Sequence, residues 1–466
     1  MKGILKGDQM FKKFTDGCVS LVNRFLPDPY IFCIVLTIIV FIGAIPATGA
    51  SPLDIIIKGW AGGVWALLGF SMQMVLVLVL GDAFANAPAI KKVIRIIARS
   101  ASSSPKKAIF MTAFISTIAC WINWGFGLVV GAILAKEIAR QCQGVDYRLL
   151  IASAYSGFVV WHAGFSGSIP LAVATATTEG GQWTVGDYTA DLIPITETIF
   201  SWWNILMCVL ILVFMPLLLA KIHPAPNEVH LVDPKLLEEH EYSVARPETP
   251  AEKMEQSAIL SYIIVIAGLI YMVWFFIHKG INIDLNTVNF IFLILGILFH
   301  RTPIAYVKAI ENACKGAAGI ILQFPFYAGI MGIMTFKLAE GGTGESLAIV
   351  ISDFFVQIST VRTYPLFSFL ASGFLNFFIP SGGGQWTVQG SIMMPAGDAI
   401  GTNPAVTAMS VAWGDSWTNM IQPFWALPAL GIAGLSARDI MGYCVITLIV
   451  SGIIVGGLFL LLGFVL

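Results

Sequence analysis

Asp415 stands in Trp413-Gly414-Asp415-Ser416-Trp417-Thr418-Asn419, a polar break in an otherwise apolar stretch. An ionisable side chain at membrane depth is costly, and such residues mark ion and substrate pathways. A carboxyl group there could take up and release a proton, or could neutralise a Na+ beside backbone carbonyls; structural pairing is the plainer alternative. Three more apolar stretches are broken in the same manner. One is broken by Ile122-Asn123-Trp124-Gly125-Phe126-Gly127. The second is broken by Trp161-His162-Ala163-Gly164-Phe165-Ser166-Gly167-Ser168-Ile169-Pro170. The third is broken by Leu375-Asn376-Phe377-Phe378-Ile379-Pro380-Ser381-Gly382-Gly383-Gly384-Gln385-Trp386. Gly/Pro-interrupted hydrophobic segments at corresponding places in two halves point to the substrate site of a secondary transporter.

A helix broken in mid-membrane exposes N–H groups at one new end and carbonyls at the other. The first end suits an anion and the second a cation. No Lys or Arg lies within the interrupted segments, which favours a small substrate with one carboxylate. Asn123 and Asn376 occupy what read as matching hairpin tips, each offering a donor and an acceptor. Gly125, Gly127, Gly382, Gly383 and Gly384 allow close backbone approach, and Ser381 caps or coordinates there. Substrate contacts are expected from Asn123, Trp124, Gly125, Gly127, Ser166, Gly167, Asn376, Ser381, Gly382, Gly383, Gly384, Trp413 and Asn419. Coupling-ion contacts are expected from Asp415, Ser416, Asn123, Gly164 and Ser381, with Na+ candidates at Asn123/Gly164 and at Ser381/Asp415. Ser166 and Ser168 are oxygen ligands or helix-packing serines. His162 relays protons or simply packs beside Trp161. Asp82 is a weaker candidate because it lies near the end of its span. The aromatics Trp124, Phe126, Trp161, Phe165, Trp386, Trp413, Trp417 and Trp425 could line a pocket for a short alkyl chain, with Gln73, Gln323, Gln385, Thr418, Asn419 and Gln422 as polar partners.

Over the whole chain, 57% of the 466 residues are hydrophobic and only 11% charged, against about 25% charged in an ordinary soluble protein. Apolar runs near the roughly 20 residues needed to cross a bilayer recur along its length, so this is a polytopic membrane protein. A net charge of −1 gives no hint of nucleic acid, and the seven scattered cysteines imply neither a disulfide framework nor a metal cluster. No cofactor is expected beyond a coupling H+ or Na+. Crossings are read at 30–48, 60–86, 149–175, 192–220, 257–277, 286–300, 317–337, 403–433 and 441–466, and re-entrant hairpins at 108–135 and 364–397. The expected fold class is therefore an all-α membrane protein with nine transmembrane helices and two re-entrant hairpins.

Residues 1–222 and 257–466 form two halves, joined by a polar linker at 223–256 that contains His223, His230 and His240. The basic N-terminus (Lys2, Lys6, Lys12, Lys13, Arg24) and the arm at 88–107, with six basic residues and no acid, read as cytoplasmic. The corresponding arm at 338–363 carries Glu340, Glu345 and Asp353 against Arg362. Like arms of opposite charge character suit inverted-topology repeats, with the N-terminus inside and the C-terminus outside.

At these residues the chain resembles the AtoE-type short-chain fatty acid transporter family. The similarity spans nearly all of it, from Leu26-Pro27-Asp28-Pro29 to the last span. The strongest blocks are Ile122 to Ala132, Gly164 to Ser168, Gln323-Phe324-Pro325-Phe326-Tyr327-Ala328-Gly329-Ile330, Pro380 to Gly384, and Gln422 to Leu430. The resemblance implies uptake of short-chain monocarboxylates such as butyrate or acetoacetate across a bacterial cytoplasmic (inner) membrane. The wider ion transporter superfamily, to which it is also similar, implies inverted repeats, paired hairpins, a dimeric scaffold and elevator-like movement. The combined expectation is an H+- or Na+-coupled symporter, a homodimer in the lipid bilayer with scaffold and transport domains. The alternatives are a dicarboxylate or acyl-amino-acid carrier of the same superfamily, a membrane enzyme, or a passive channel. The enzyme reading lacks a His/Cys/carboxylate cluster or a phosphate-cradling loop.

Overall fold

A computed structural model describes residues 17, 19–20, 24, 28–186, 188–237, 247–279, 285–338 and 344–465. Four basic residues of the N-terminal expectation (Lys2, Lys6, Lys12 and Lys13), Leu26-Pro27, His240 and Glu340 lie outside these.

Prolines and short polar caps set most helix starts. Asp28 accepts from Tyr30 N–H to open α1 (Pro29–Thr48), and Gly49, at φ 62°, closes it. After a helical turn at Pro52–Asp54, the residues Ile55–Ala61 wind as a π-helix. Then come α2 (Leu68–Asn86), the basic arm α3 (Pro88–Ala101), and the hairpin α4 (Pro105–Ile122) and α5 (Trp124–Gln141). The first broken span follows as α6 (Tyr147–Ser156), a 3-10 turn at Gly157–Ala163, and α7 (Ser168–Val173). A two-stranded antiparallel hairpin, β1 (Trp183–Val185) and β2 (Tyr188–Ala190), precedes α8 (Trp202–Lys221).

The second half opens with α9 (Pro250–Glu255), α10 (Ala258–Lys279), α11 (Leu285–His300), α12 (Pro303–Ala313) and α13 (Ala318–Thr335). It continues with a second arm, α14 (Leu347–Gln357), and a second hairpin, α15 (Tyr364–Asn376) and α16 (Gly382–Ile400). Its broken span is α17 (Pro404–Thr418), a 3-10 turn at Asn419–Ile421, and α18 (Pro423–Ala433), before the terminal α19 (Ala437–Val465).

Among the described residues, seven helical stretches are long and apolar enough to cross a membrane. The helix at the expected crossing 286–300 has 16 residues, and the one at 403–433 is divided between helices of 15 and 11. Three expectations change. The first hairpin runs 105–141 rather than 108–135; its 18-residue arms are each about 27 Å long, so shortness alone no longer argues for re-entry. The crossing at 192–220 becomes a helix only at Trp202, where Ser201 caps it by accepting from Asn204 N–H. The chain is predominantly, not wholly, helical, because the loop at 176–190 carries the β-hairpin. Trp183 of that hairpin stacks on Trp386 of α16 at 5.9 Å, and Tyr188 donates a hydrogen bond to Asp398.

The two hairpins grip their broken spans by the same device. Ser116 of α4 donates to the Ala154 carbonyl of α6, and Ser372 of α15 donates to the Val411 carbonyl of α17 at 2.6 Å. Beside each serine lies a glycine with no room for a side chain. A Cβ on Gly157 would sit 2.5 Å from the Ser116–Thr117 backbone, and one on Gly414 would sit 2.3 Å from the Phe369 carbonyl oxygen. Small residues let helices approach closely where lipid offers no hydrophobic gain from burial.

The linker is docked rather than loose. Asp146, which caps α6, also accepts from His230 N–H at 2.8 Å, and its own N–H donates to His223 Nε2 at 3.1 Å. Burial holds His223 below the usual histidine range, in the neutral form that can accept this bond. Arg140 of α5 donates to the Leu237 carbonyl at 2.8 Å.

Gly414→Val should therefore cost at least about 1–3 kcal/mol through overpacking against backbone, seen as a lower Tm of the detergent-solubilised protein. Gly383→Ala, where a Cβ meets nothing within 4 Å, should unfold like the parent.

Candidate carboxylate and cation site

The two broken spans meet in the interior. Trp161 donates from Nε1 to Asn419 Oδ1 at 2.8 Å, and Tyr155 donates to the Asn419 carbonyl at 2.6 Å. One residue further along, His162 Nδ1 lies 3.0 Å from Asp415 Oδ1, with both side chains buried. Ile169 N–H, in the first turn of α7, donates to His162 Nε2 at 3.1 Å. That nitrogen must present its lone pair, so the ring proton is assigned to Nδ1, which donates to Asp415. His162 thus orients the carboxyl group. A proton relay would need Nε2, which Ile169 occupies.

Each hairpin tip is pinned to the break beside it. Asn123 accepts from Phe126 N–H to cap α5, while Trp124 N–H donates to Ser166 Oγ at 3.0 Å and Phe165 N–H to the Trp121 carbonyl at 2.9 Å. In the second pair, Ser381 accepts from Gly384 N–H to cap α16, and Gln422 Nε2 donates to the Phe377 carbonyl at 2.9 Å. The second tip also reaches the centre, since a Cβ on Gly382 would lie 2.7 Å from His162 Cε1.

These contacts correct several expectations. Asp415 does not sit at a break: α17 continues to Thr418, and the chain opens at Asn419–Gln422 because Pro423 starts a new helix and disfavours helical backbone before it. Gly414 serves close packing there. The residue matching Asn123 is Ser381, which caps the corresponding return arm. Asn376 instead ends α15, buried, donating to the Asp415 carbonyl at 2.8 Å and to Thr418 Oγ1 at 2.9 Å. Gly127 packs arm against arm, with Cys120 Sγ 2.4 Å from any added Cβ, and Gly167 closes on the His162 carbonyl. Ser416 bonds back to the Trp413 carbonyl of its own helix, and Trp413 donates to Asn204 Oδ1 on α8.

The aromatics divide likewise. Trp124, Trp161 and Trp425 cluster with Phe158, with ring centroids 5.1 to 6.1 Å apart. Trp386, Trp417, Phe126 and Phe165 pack elsewhere: on the β-hairpin, on α19, on Phe292 and on Trp121. Gln73 pairs with Asn286, away from the breaks.

Sequence reasoning passed over Ser116, Ser372, Asn204 and Gln389. Asn204 bridges Trp413 to the Ala163 carbonyl, and Gln389 accepts from Gln385 at 2.8 Å. Of these, Asn204 carried a signal, a lone polar side chain in Trp202-Trp203-Asn204-Ile205-Leu206. Around the centre, Asp415 Oδ2, Asn376 Oδ1, Asn419 Nδ2, Gln385 Oε1 and Trp425 Nε1 are buried without a hydrogen-bond partner among the described residues. Buried polar atoms are seldom left so. Oxygens of this kind fit a small cation, and the donors fit a carboxylate beside the aromatic cluster.

Interrupted helices meeting at a buried polar centre, inside a bundle of membrane-length helices, define a membrane carrier architecture. Residues 10–462 match the family model described as Short chain fatty acid transporter. A protein of Escherichia coli (strain K12) named for short-chain fatty acid transport is 44% identical over 448 residues, 96% of this chain and 98% of its own. One of the same name from Haemophilus influenzae is 42% identical over 457 residues, 97% and 100% of the two chains. The chain belongs to the short-chain fatty acid transporter family, and relatives named as transporters set the enzyme reading aside. The crystal structure of the Alcanivorax borkumensis YdaH transporter covers 94% of this chain and 98% of its own at TM-score 0.44 and 17% identity, a loose likeness.

His162→Phe strands the Asp415 carboxyl and should destabilise the protein by about 3–5 kcal/mol in thermal unfolding. Asp415→Asn keeps an oxygen for His162 Nδ1–H and should cost less than about 1.5 kcal/mol.

Proposed function

We propose that this chain imports short-chain monocarboxylates, butyrate and acetoacetate among them, by symport with H+ or Na+. The observation that carries this reading is the buried His162–Asp415 pair at the meeting of the breaks, with no Lys or Arg in any interrupted segment. An anion entering there finds helix N-termini at Asn123 and Ser381 rather than a basic side chain. With Asp415 ionised, a bound carboxylate would place two negative charges in a low-dielectric interior, so a cation must accompany it. The aromatic cluster of Trp124, Phe158, Trp161 and Trp425 supplies an apolar wall for a short alkyl chain. The site set proposed is Asn123, Trp124, Gly382, Gly383 and Asn419 for the acid, and Asp415, Asn376 and Ser381 for the cation.

The repeated serine–glycine lock supports two inverted repeats. In this reading the hairpins and broken spans move together, elevator-like, against a scaffold of the remaining helices that forms a homodimer. The membrane is the bacterial cytoplasmic one, with the basic arm α3 facing inward.

In proteoliposomes, labelled butyrate should accumulate when a pH or a Na+ gradient is applied. Asp415→Asn should cut that accumulation roughly tenfold, equivalent to about 1.4 kcal/mol of coupling. Accumulation indifferent to both gradients rejects symport, and an unaffected Asp415→Asn removes that residue's role.

A further inference from the structure

A second charged cavity lies away from the breaks. Its volume is about 220 Å³, and it is lined by Asp82 and Asn86 of α2, Lys91 of α3, Lys136 of α5, Lys235 of the linker and Ile432 of α18. A smaller adjoining pocket shares Asp82, Lys91 and Lys136 and adds Glu137 and Arg140. The acids and bases do not cancel. Glu137 is already engaged by Arg140 and Arg95 and accepts from Gln141 Nε2 at 2.8 Å. The larger cavity is lined by Lys91, Lys136 and Lys235 and one carboxylate, Asp82, a formal net of +2. Among the described residues, Lys136 and Lys235 have no carboxylate partner within 4.0 Å; the hydrogen bond Lys136 makes there is to the Ile432 carbonyl at 3.4 Å. That contact offsets the partial negative charge at the C-terminal end of α18, which would otherwise repel an anion.

We infer that this cavity binds a small soluble oxyanion, a carboxylate such as the transported acid or inorganic phosphate. Lys136 and Lys235 are its main contacts, and Asp82 limits it to weak, exchangeable binding. Its place in the fold supports this. The 11-residue α18 runs from the break at Gln422 to the cavity wall, about 16 Å at 1.5 Å per residue. One helix therefore joins the central site to this vestibule. Docking of the linker, through Arg140 on the Leu237 carbonyl and Leu236 against Gly434, brings Lys235 over the opening. Clefts lined by one sign of charge raise the local concentration of the opposite ion.

The test is equilibrium binding of labelled butyrate to full-length protein in nanodiscs of neutral lipid. A weak bound fraction should be displaced by inorganic phosphate. Lys136→Gln with Lys235→Gln should weaken it roughly tenfold, the loss of about one charge-assisted contact. Lys136→Arg with Lys235→Arg should retain it, as should Lys92→Gln with Arg99→Gln on the exposed face of α3. An isotherm unchanged by the double glutamine variant overturns the inference. So does a weak fraction displaced by phosphatidylglycerol and not by phosphate, because the occupant would then be a lipid headgroup. Binding is read without transport: wild-type protein unable to accumulate butyrate would refute the symport reading and leave this one standing.

Discussion

A buried carboxyl group needs a partner in a medium that offers little solvation, and the interior of this molecule is arranged around supplying one to Asp415. His162 reaches it from the opposite broken span, and Ile169 fixes which nitrogen carries the ring proton. Asn376 reads the backbone of the same turn. These bonds join three elements from two halves of the chain, so the position of each break depends on the other. The coupling also explains why glycine stands where helices cross. Hydrogen bonds of this length form only if the backbones approach to distances that a Cβ would forbid, as at Gly157 and Gly414.

Much of this organisation was legible beforehand. Hydropathy marked the membrane class, helices are interrupted near the Gly-rich stretches, and Asp415 stood out as an acid in apolar sequence. What escaped was local and steric. Gly414 looked like a break because glycine beside aspartate signals a turn in an isolated stretch, whereas here it is a packing notch inside a helix. Asn376 looked equivalent to Asn123 by type and position, yet capping geometry matches Asn123 with Ser381. Which tryptophans converge depends on helix rotation, and sequence patterns in an all-apolar helix carry little information about that. The family resemblance seen in the sequence agrees with the match over residues 10–462.

Charge is distributed unevenly with depth. The interrupted segments hold Asp415 and His162 and no Lys or Arg, whereas α3, the end of α5 and the linker hold a dense basic group with Asp82 and Glu137 among it. In the proposed reading, a carboxylate passing between the two places would meet lysines at the cavity and peptide dipoles at the breaks. Strong binding at either place would slow passage, and no Lys or Arg stands in the interrupted segments to cause it.

The small β-hairpin between α7 and α8 ties the first half to the return arm of the second, through Trp183 on Trp386 and Tyr188 on Asp398. Thr184, Gly186 and Thr189 of this hairpin are exposed, so the fastening presents a face to external reagents. A binder raised against that flap would grip both halves at once and hold the molecule in a single pose for imaging.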